Sequence, residues 1–544
     1  MAESFFGLNL AVRGLYTAQR NLDIVNHNLN NINTPGYSRQ QAIQAASRPM
    51  ALADGTGMMG TGSDVTGVRR IRDEYLDFKY WSENRSLGEW SAKHEALSDI
   101  EAQFNEPSDS GFTTIMSDFY DSMQELAKDP SSEAVRSLVK QRGVTLAKYF
   151  NSMATHFEDL QQDLNYRIQT KVEEVNSYAT QIQQLNRQIY ISELDGSTAN
   201  DMRDQRTLLV DKLSKIVNID ANEVVAGYTP DGREDKHFVV TISGKALVDH
   251  FSVSKLDLVQ RDGAHQVNAE DVPNLYDVRW ADGNSLTIKG GELRGYLDVR
   301  DGNEGKTGPN GIDSPDYKGI PYYQKKLNEF VRTFARAFNE GYIDSDGNGD
   351  YSAGDTVGGG HASGYGYNKT TNGTRFFTMT GVGDRPISSA DFISGAADPT
   401  DPEEVYDLYA TVTAKNFCVS SDIMNDYNLI ATSDAAGEAS NIDTLNNLLK
   451  LRQNTQMFSE GAPEDYMKSL VATLGIDSQQ AENYGDNQQV VVNQIVNRRL
   501  SDSGVSIDEE MTNLIKFQQA YNASAKMIQT MSEVYDTLIN RLFA

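Results

Sequence analysis

The chain has 544 residues, 39% of them hydrophobic, with 77 acidic against 49 basic side chains and a formal charge of −28. Such a length calls for about three or four domains, and so acidic a surface would be repelled by nucleic acid or by an anionic membrane. The lone cysteine, Cys418, excludes an intrachain disulfide and a multi-cysteine zinc site. No stretch approaches the ~20 apolar residues that a membrane-spanning helix needs. Near Met1 there is no basic segment followed by an apolar one, so no cleaved secretory signal is expected; taken alone, this points to the cytoplasm.

From residue 4 to 32 the pattern is helical. Leu8, Leu15, Leu22 and Leu29 repeat every seven residues, and Ala11, Ala18, Val25 and Ile32 fill the second apolar position of the same heptads. This is a seam for packing against another helix. Charges are sparse beside it, and the flanks carry Gly14, Gln19, Asn21, Asn26 and Asn28, which suits contact on more than one side. Pro35 and Gly36 stop the helix, and residues 37–75 read as extended and Gly-rich.

Helical patterning resumes over 73–104, 111–128, 131–192 and 201–217. In the longest tract Leu160, Leu164, Ile168 and Val172 advance by fours, a slip in the seam that fits a bundle better than an ideal two-stranded coil. Residues 221–300 alternate instead, with apolar runs at 237–242, 246–248, 256–259, 278–280 and 286–288 separated by Asp-Gly turns, so hairpins are expected there. Residues 301–320 read as loop. A helix follows over 321–342, with Leu327, Phe330, Val331, Phe334 and Phe338 on one face. Residues 343–402 are rich in Gly, Asp, Ser and Thr and read as a surface insertion with few strands. Helices return near 420–430 and 443–452, then over 463–502 with a break near Gly475–Asp477, and finally over 506–543. In the last helix Leu514, Tyr521, Ile528, Tyr535 and Leu542 form one heptad series, and Phe517, Ser524, Met531 and Leu538 the other.

The expected fold is α+β and multidomain. Terminal helices pair as a coiled coil (1–75 with 505–544) above a bundle of long helices (76–220 with 412–504, helix 321–342 packing on it). A β-rich domain (221–320) and a Gly/Asp-rich outer insertion (343–411) are inserted between the halves. Alone, a seam of this length makes only a marginal helix. Burying ~20 apolar side chains at ~1.5 kcal/mol each outweighs the cost of ordering them only when neighbours cover them.

Catalytic signatures are missing: the seven histidines are scattered, and no Gly-x-Ser-x-Gly elbow or true phosphate loop occurs. Asp344, Asp346, Asn348 and Asp355 occupy positions 1, 3, 5 and 12 of a calcium-loop spacing, with Gly349 at position 6. Position 12 is Asp rather than Glu and no second helix follows, which favours an acidic turn, with calcium as the alternative. No other cofactor is expected.

The run Asn28-Leu29-Asn30-Asn31-Ile32-Asn33-Thr34-Pro35-Gly36-Tyr37 resembles the signature of the flagellar axial proteins, the rod, hook and hook-associated family. Asn513–Ile515 and Gln519–Lys526 resemble that family's other end, while His27 and Asn30 depart from its usual residues. Tyr37–Gln40 and Asn200–Leu209 resemble the branch found at the hook–filament junction. The resemblance implies a non-enzymatic structural adaptor whose terminal helices line an inner tube. It also implies export unfolded through the flagellar type III apparatus without cleavage, which replaces the cytoplasmic reading with an extracellular one. The implied partners are the hook protein, the second hook-associated junction protein, copies of the chain itself in a ring, and an export chaperone on the C-terminal helix. The alternatives are a hook or rod protein of the same family, a calcium-binding surface protein, and a cytosolic multidomain enzyme.

Overall fold

A computed structural model describes residues 6–51, 57–104, 111–228, 232, 234–343, 359–397 and 402–537. Helix α1 (Phe6–Asn30) leads into an antiparallel hairpin of β1 (Gln40–Ala46) and β4 (Ser63–Arg70), extended by the short pair β2 (Met50–Ala51) and β3 (Met58–Met59). The bundle follows with α2 (Glu74–Phe104), α3 (Phe112–Lys128), α4 (Glu133–Glu193) and α5 (Asn200–Ile216). An antiparallel sheet comes next, in the order β5 (Asp220–Tyr228), β6 (Glu234–Ile242), β7 (Lys245–Asp249) and β8 (Ser252–Val253). Strands β9 (Leu256–Gln260) and β10 (Tyr276–Trp280) pair separately, before α6 (Glu292–Asp301) and α7 (Ile320–Glu340). The later segment holds β11 (Tyr365–Gly366), β12 (Phe377–Met379), α8 (Ser389–Ile393), α9 (Pro402–Leu408), β13 (Phe417–Val419), α10 (Ser421–Asn425), β14 (Ala431–Ser433) and α11 (Asp443–Lys450). Helices α12 (Pro463–Ser503) and α13 (Ile507–Asp536) return to the starting end.

Helix α4 is the spine. Its 61 residues span about 90 Å. The Ser132 hydroxyl caps its start by accepting from Val135 N–H. Its buried side chains, from Leu146 and Phe150 through Leu164, Ile168, Val172 and Val175 to Ile189, advance by mixed threes and fours, as a straight helix requires. Amide side chains on the same helix pin successive inserted segments by hydrogen bonds to their backbones. Asn151 Nδ2 donates to Phe417 O, and Gln161 bonds to both Arg300 O and Val272 N–H. Asn176 does the same to Leu256, and Asn186 Nδ2 donates to His250 O. Helices α2 and α12 run antiparallel, with Trp90 against Tyr484 and Arg499 on Asp77. One contiguous apolar core joins this bundle to both inserted regions.

The architecture is α+β, with long terminal helices, as expected, but five local readings change. Residues 286–288 are not a strand: past the single bridge at Ser285, Ser243 Oγ bonds Thr287 O and Asn218 Oδ1 takes Lys289 N–H, so side chains replace a partner strand. Residues 292–301 are helical, because Leu293, Tyr296 and Val299 all turn toward the core. Gly295 sits so close to α2 that a Cβ there would lie 2.6 Å from Glu89 O. Helix α12 does not break at Gly475; the cost of one helical glycine, about 1 kcal/mol, is offset by burial of Leu474, Ser478 and Ala481 around it. Residues 420–430 split into α10 and a 3-10 turn at Tyr427–Leu429. Finally, residues 359–397 are more than an outer excursion. Phe376 and Phe377 are fully buried and pack on Phe119, Phe334 and Phe338.

His361 sits in this last core. Its Nδ1–H donates to Thr374 O (2.7 Å), its Nε2 accepts from Ala431 N–H (2.9 Å), and its ring stacks on Phe338. Both nitrogens are satisfied in the neutral form, and burial pulls the imidazole from 6.5 down to about 4. The unfolded chain therefore takes up the proton first. Stability from this site is complete above about pH 6.5 and is lost as pH falls toward 4. Urea denaturation should show a loss on the order of 2–3 kcal/mol between pH 7 and pH 4, and His361→Gln should flatten that slope.

Candidate functional site

Helices α1 and α13 pack antiparallel. A Cβ at Gly7 would touch Met531 Cε at 2.7 Å, one at Gly14 would touch Ser524 Oγ at 3.0 Å, and Asn28 Nδ2 donates to Glu510 Oε2. The absent glycine side chains set how closely the helices approach. On α1, Gly7, Gly14 and Asn28 thus meet α13, while Asn21 accepts from Gln44 of β1. Ala11, Ala18, Val25, Asn21 and Asn28 are buried, whereas Leu8, Leu15, Leu22, Leu29 and Ile32 are only half-buried. On α13, Leu514, Phe517, Tyr521, Ser524, Ile528, Met531 and Tyr535 are all half-buried, while Met511, Ile515, Met527 and Val534 stand exposed. Leu538 and Leu542 lie outside the described residues, as do Asp344, Asp346, Asn348 and Asp355. Among the described residues no cluster of three or more His, Cys, Asp or Glu is placed to hold a metal ion, and no helix is long and apolar enough to cross a membrane.

The Asn-rich end of α1 is a clasp. Asn28 is 1% exposed, and its side-chain amide is fully used: Nδ2 donates to Gln40 O and Glu510, while Oδ1 accepts Gln40 N–H and the Tyr37 hydroxyl (2.7 Å). Asn31 Nδ2 closes the helix end by donating to His27 O, and Thr34 Oγ1 donates to Asn31 Oδ1. Asn33, Thr34 and Pro35 face solvent in the turn. Gly36 has φ +79 and rests on Leu208, a conformation and a contact that a side chain would strain. Burial, then the charges of Asp201, Asp204 and Glu510, hold the Tyr37 phenol well above its ordinary range, so it remains a donor.

From Ser38 onward the chain is tied to α5, α12 and α13. Ser38 donates through both N–H and Oγ to Asp204, and Arg70 Nη1 reaches the same carboxylate at 2.9 Å. Arg72 forks onto Asp77, and Arg499 bridges Asp77 and Asp211. Asp211 also accepts the Trp81 indole N–H; burial pushes its carboxyl up despite Arg499 and Arg72 nearby. Arg39 holds Glu509 and Glu510 at the start of α13. The two stretches that resemble the junction proteins, 37–40 and 200–209, are thus in direct contact. Asp204, Asp77, Asp211, Arg39, Arg70, Arg72, Arg499 and Glu510 carry no periodic signal and were not among the expected site residues; the matches at 37–40 and 200–209 marked their neighbourhood.

The fold and clasp define a flagellar axial protein. Residues 8–37 match the family described as flagella basal body rod protein, and 496–542 the flagellar basal body rod FlgEFG protein C-terminal region. Residues 97–350 match the flagellar hook-associated protein FlgK helical domain. The chain is 30% identical over 565 residues to flagellar hook-associated protein 1 of Bacillus subtilis, covering 99% of each, and 26% identical over 572 residues to that of Escherichia coli, covering 98% of this chain and 99% of the relative. Its fold is similar to that of the flagellar hook junction protein FlgK from Burkholderia pseudomallei, with a TM-score of 0.50 and 14% identity over 80% of this chain and 100% of that one. The chain belongs to the hook-associated protein 1 family, structural components of the flagellar hook–filament junction.

Asp204→Ala leaves Arg70 and Ser38 facing one another without their anion, while Arg72 keeps Asp77. Removing one partner of a buried ion pair should cost about 3 kcal/mol, read as a lower urea midpoint, with exposure of the 38–72 segment to protease.

Proposed function

We propose that the chain is an adaptor ring subunit that assembles through its terminal helices, with the hook protein on one side and the second hook-associated protein on the other. The observation that carries this reading is the uncovered apolar surface of the α1–α13 pair. Ala11, Ala18 and Val25 are buried, yet Leu8, Leu15, Leu22 and Leu29 are only partly so, and Ile515 and Tyr16 are 56% and 63% exposed. Copies of the chain and neighbouring axial proteins are the cover for that surface. Before assembly an export chaperone on the C-terminal helix shields the same residues, and export proceeds unfolded and without a cleaved signal to the cell exterior. The role needs no catalysis and no cofactor, so calorimetric titration with calcium should give no binding heat.

Leu22→Asp or Ile528→Asp places a charge on this surface. Each should abolish filament attachment while leaving the urea unfolding transition of the body within about 0.5 kcal/mol of the parent, as surface changes remote from it do. Normal swimming by a strain carrying both changes would contradict the reading.

A further inference from the structure

The terminal domain has two unlike flanks at one height. Gly7 and Gly14 of α1 face α13. At about 3.6 residues per turn, the next residue lies about 100° round the helix in one direction, and the third lies about 60° round in the other. Leu8 and Leu15, and with the same period Leu22 and Leu29, therefore line one flank. Leu10 and Thr17 fall on the other, and there the β1–β4 hairpin lies: Gly62 rests on Leu10, and Thr17 Oγ1 donates to Ser63 O. On α13, Leu514, Tyr521 and Ile528 stand three residues before Phe517, Ser524 and Met531, which in an antiparallel pair turns them to the leucine flank. All of these flank residues are half-buried, and Ile507 and Met511 at the start of α13 are 57% and 46% exposed.

The hairpin flank ends in a knob. Gln44, on the inner face of β1, donates to Asn21 Oδ1, so Ile43 points outward, where it is 44% exposed. Its cross-strand partner is Gly67, which has no side chain to cover it, and Gln41, Ala45 and Arg69 around it are exposed as well. Gln44 meets Asn21 and Gln40 meets Asn28, so Ile43 stands at the height of Leu22 but on the opposite flank. Leu514 lies beside Leu22, because α13 runs from Glu510 at Asn28 to Ser524 at Gly14. A ring closes only if each copy offers one face to one neighbour and a different face, at the same height, to the other. These two flanks meet that condition. Charge fits the same match: Arg69 is exposed on the hairpin, and Asp23 is exposed next to Leu22.

We propose that Ile43 of one copy seats between Leu22 and Leu514 of the next copy around the ring, as a knob enters a hole between two helices, with Arg69 toward Asp23. The docking rests on the junction reading and names the two faces through which copies meet side by side.

The test uses the full chain assembled on cells, with Cys418→Ser as background. Ile43→Cys with Leu514→Cys should give, under mild oxidation, a ladder of bands at whole multiples of the chain's mass that neither single variant gives. Within one copy the width of α1, about 10 Å, separates the two positions, which is beyond disulfide reach, so every rung is a link between copies. Gly14→Cys with Ser524→Cys is the control for oxidation. The Cβ separation there is 3.9 Å, within disulfide range, so it closes inside one copy wherever the helix pair has formed. Swimming cells with the control closed and no ladder would overturn the docking while leaving the junction role intact, whereas detached flagella that lack the chain altogether would overturn the junction reading itself. A dimer from Ile43→Cys alone, which reports a two-fold contact, would also overturn the docking. In a second arm, Ile43→Asp at an exposed position should leave the circular dichroism of the free chain unchanged and lower the swimming fraction about tenfold. Unchanged swimming contradicts the proposal, whether or not the cysteine pair assembles.

Discussion

A pair of helices that each carry apolar residues on two sides can bury only one of those sides within the pair. Everything at the ends of this chain follows from that constraint. Small residues on α1 let α13 approach closely and consume Ala11, Ala18 and Val25, and the leucine series and the outer face of α13 are left over. In a free molecule that remainder is a cost, since apolar area in contact with water contributes about 25 cal/mol per Å² against the exposed state. Within an array it becomes the driving force for assembly. The sparseness of charges along α1, where only Arg13, Arg20 and Asp23 are charged, would be unusual for a helix bathed in water and belongs to the same design.

The clasp answers a different requirement. A helix pair that binds outward must still pass its load to the body. The path runs through hydrogen-bonded and ionic contacts that are short, largely buried and mutually saturated: Asn28 to Glu510, Ser38 and Arg70 to Asp204, Arg72 and Arg499 to Asp77. Directional contacts of this kind fix an angle, whereas apolar packing alone permits sliding. Below the clasp, α4 repeats the principle along about 90 Å, with one amide after another holding an inserted segment in place.

Much of this was legible in the sequence where a period existed. Met531 and Ser524 of the α13 series meet Gly7 and Gly14 of α1, and the bundle helices lie within a few residues of their expected bounds. The α1 seam was read as two series, of which Ala11, Ala18 and Val25 are buried while Leu8, Leu15, Leu22 and Leu29 are only half-buried. Gly7, Gly14 and Asn28 make the close approach through small size and hydrogen bonding, properties that periodicity does not weigh. The clasp was illegible for another reason: Ser38 and Asp204 are 166 residues apart, and nothing local to either announces the other. The helix at 292–301 was hidden in a region of alternating residues, and the glycine at 475 looked like a break because local propensity cannot show the tertiary packing that overrides it.

The central claim is that the terminal pair is completed by its neighbours, and amide hydrogen exchange measures it most directly. In the free chain, amides of α1 and α13 should exchange orders of magnitude faster than those of α4 and α7, and in assembled flagella all four helices should be comparably protected. Protection of α1 and α13 equal to that of α4 in the free chain, unchanged on assembly, would contradict it.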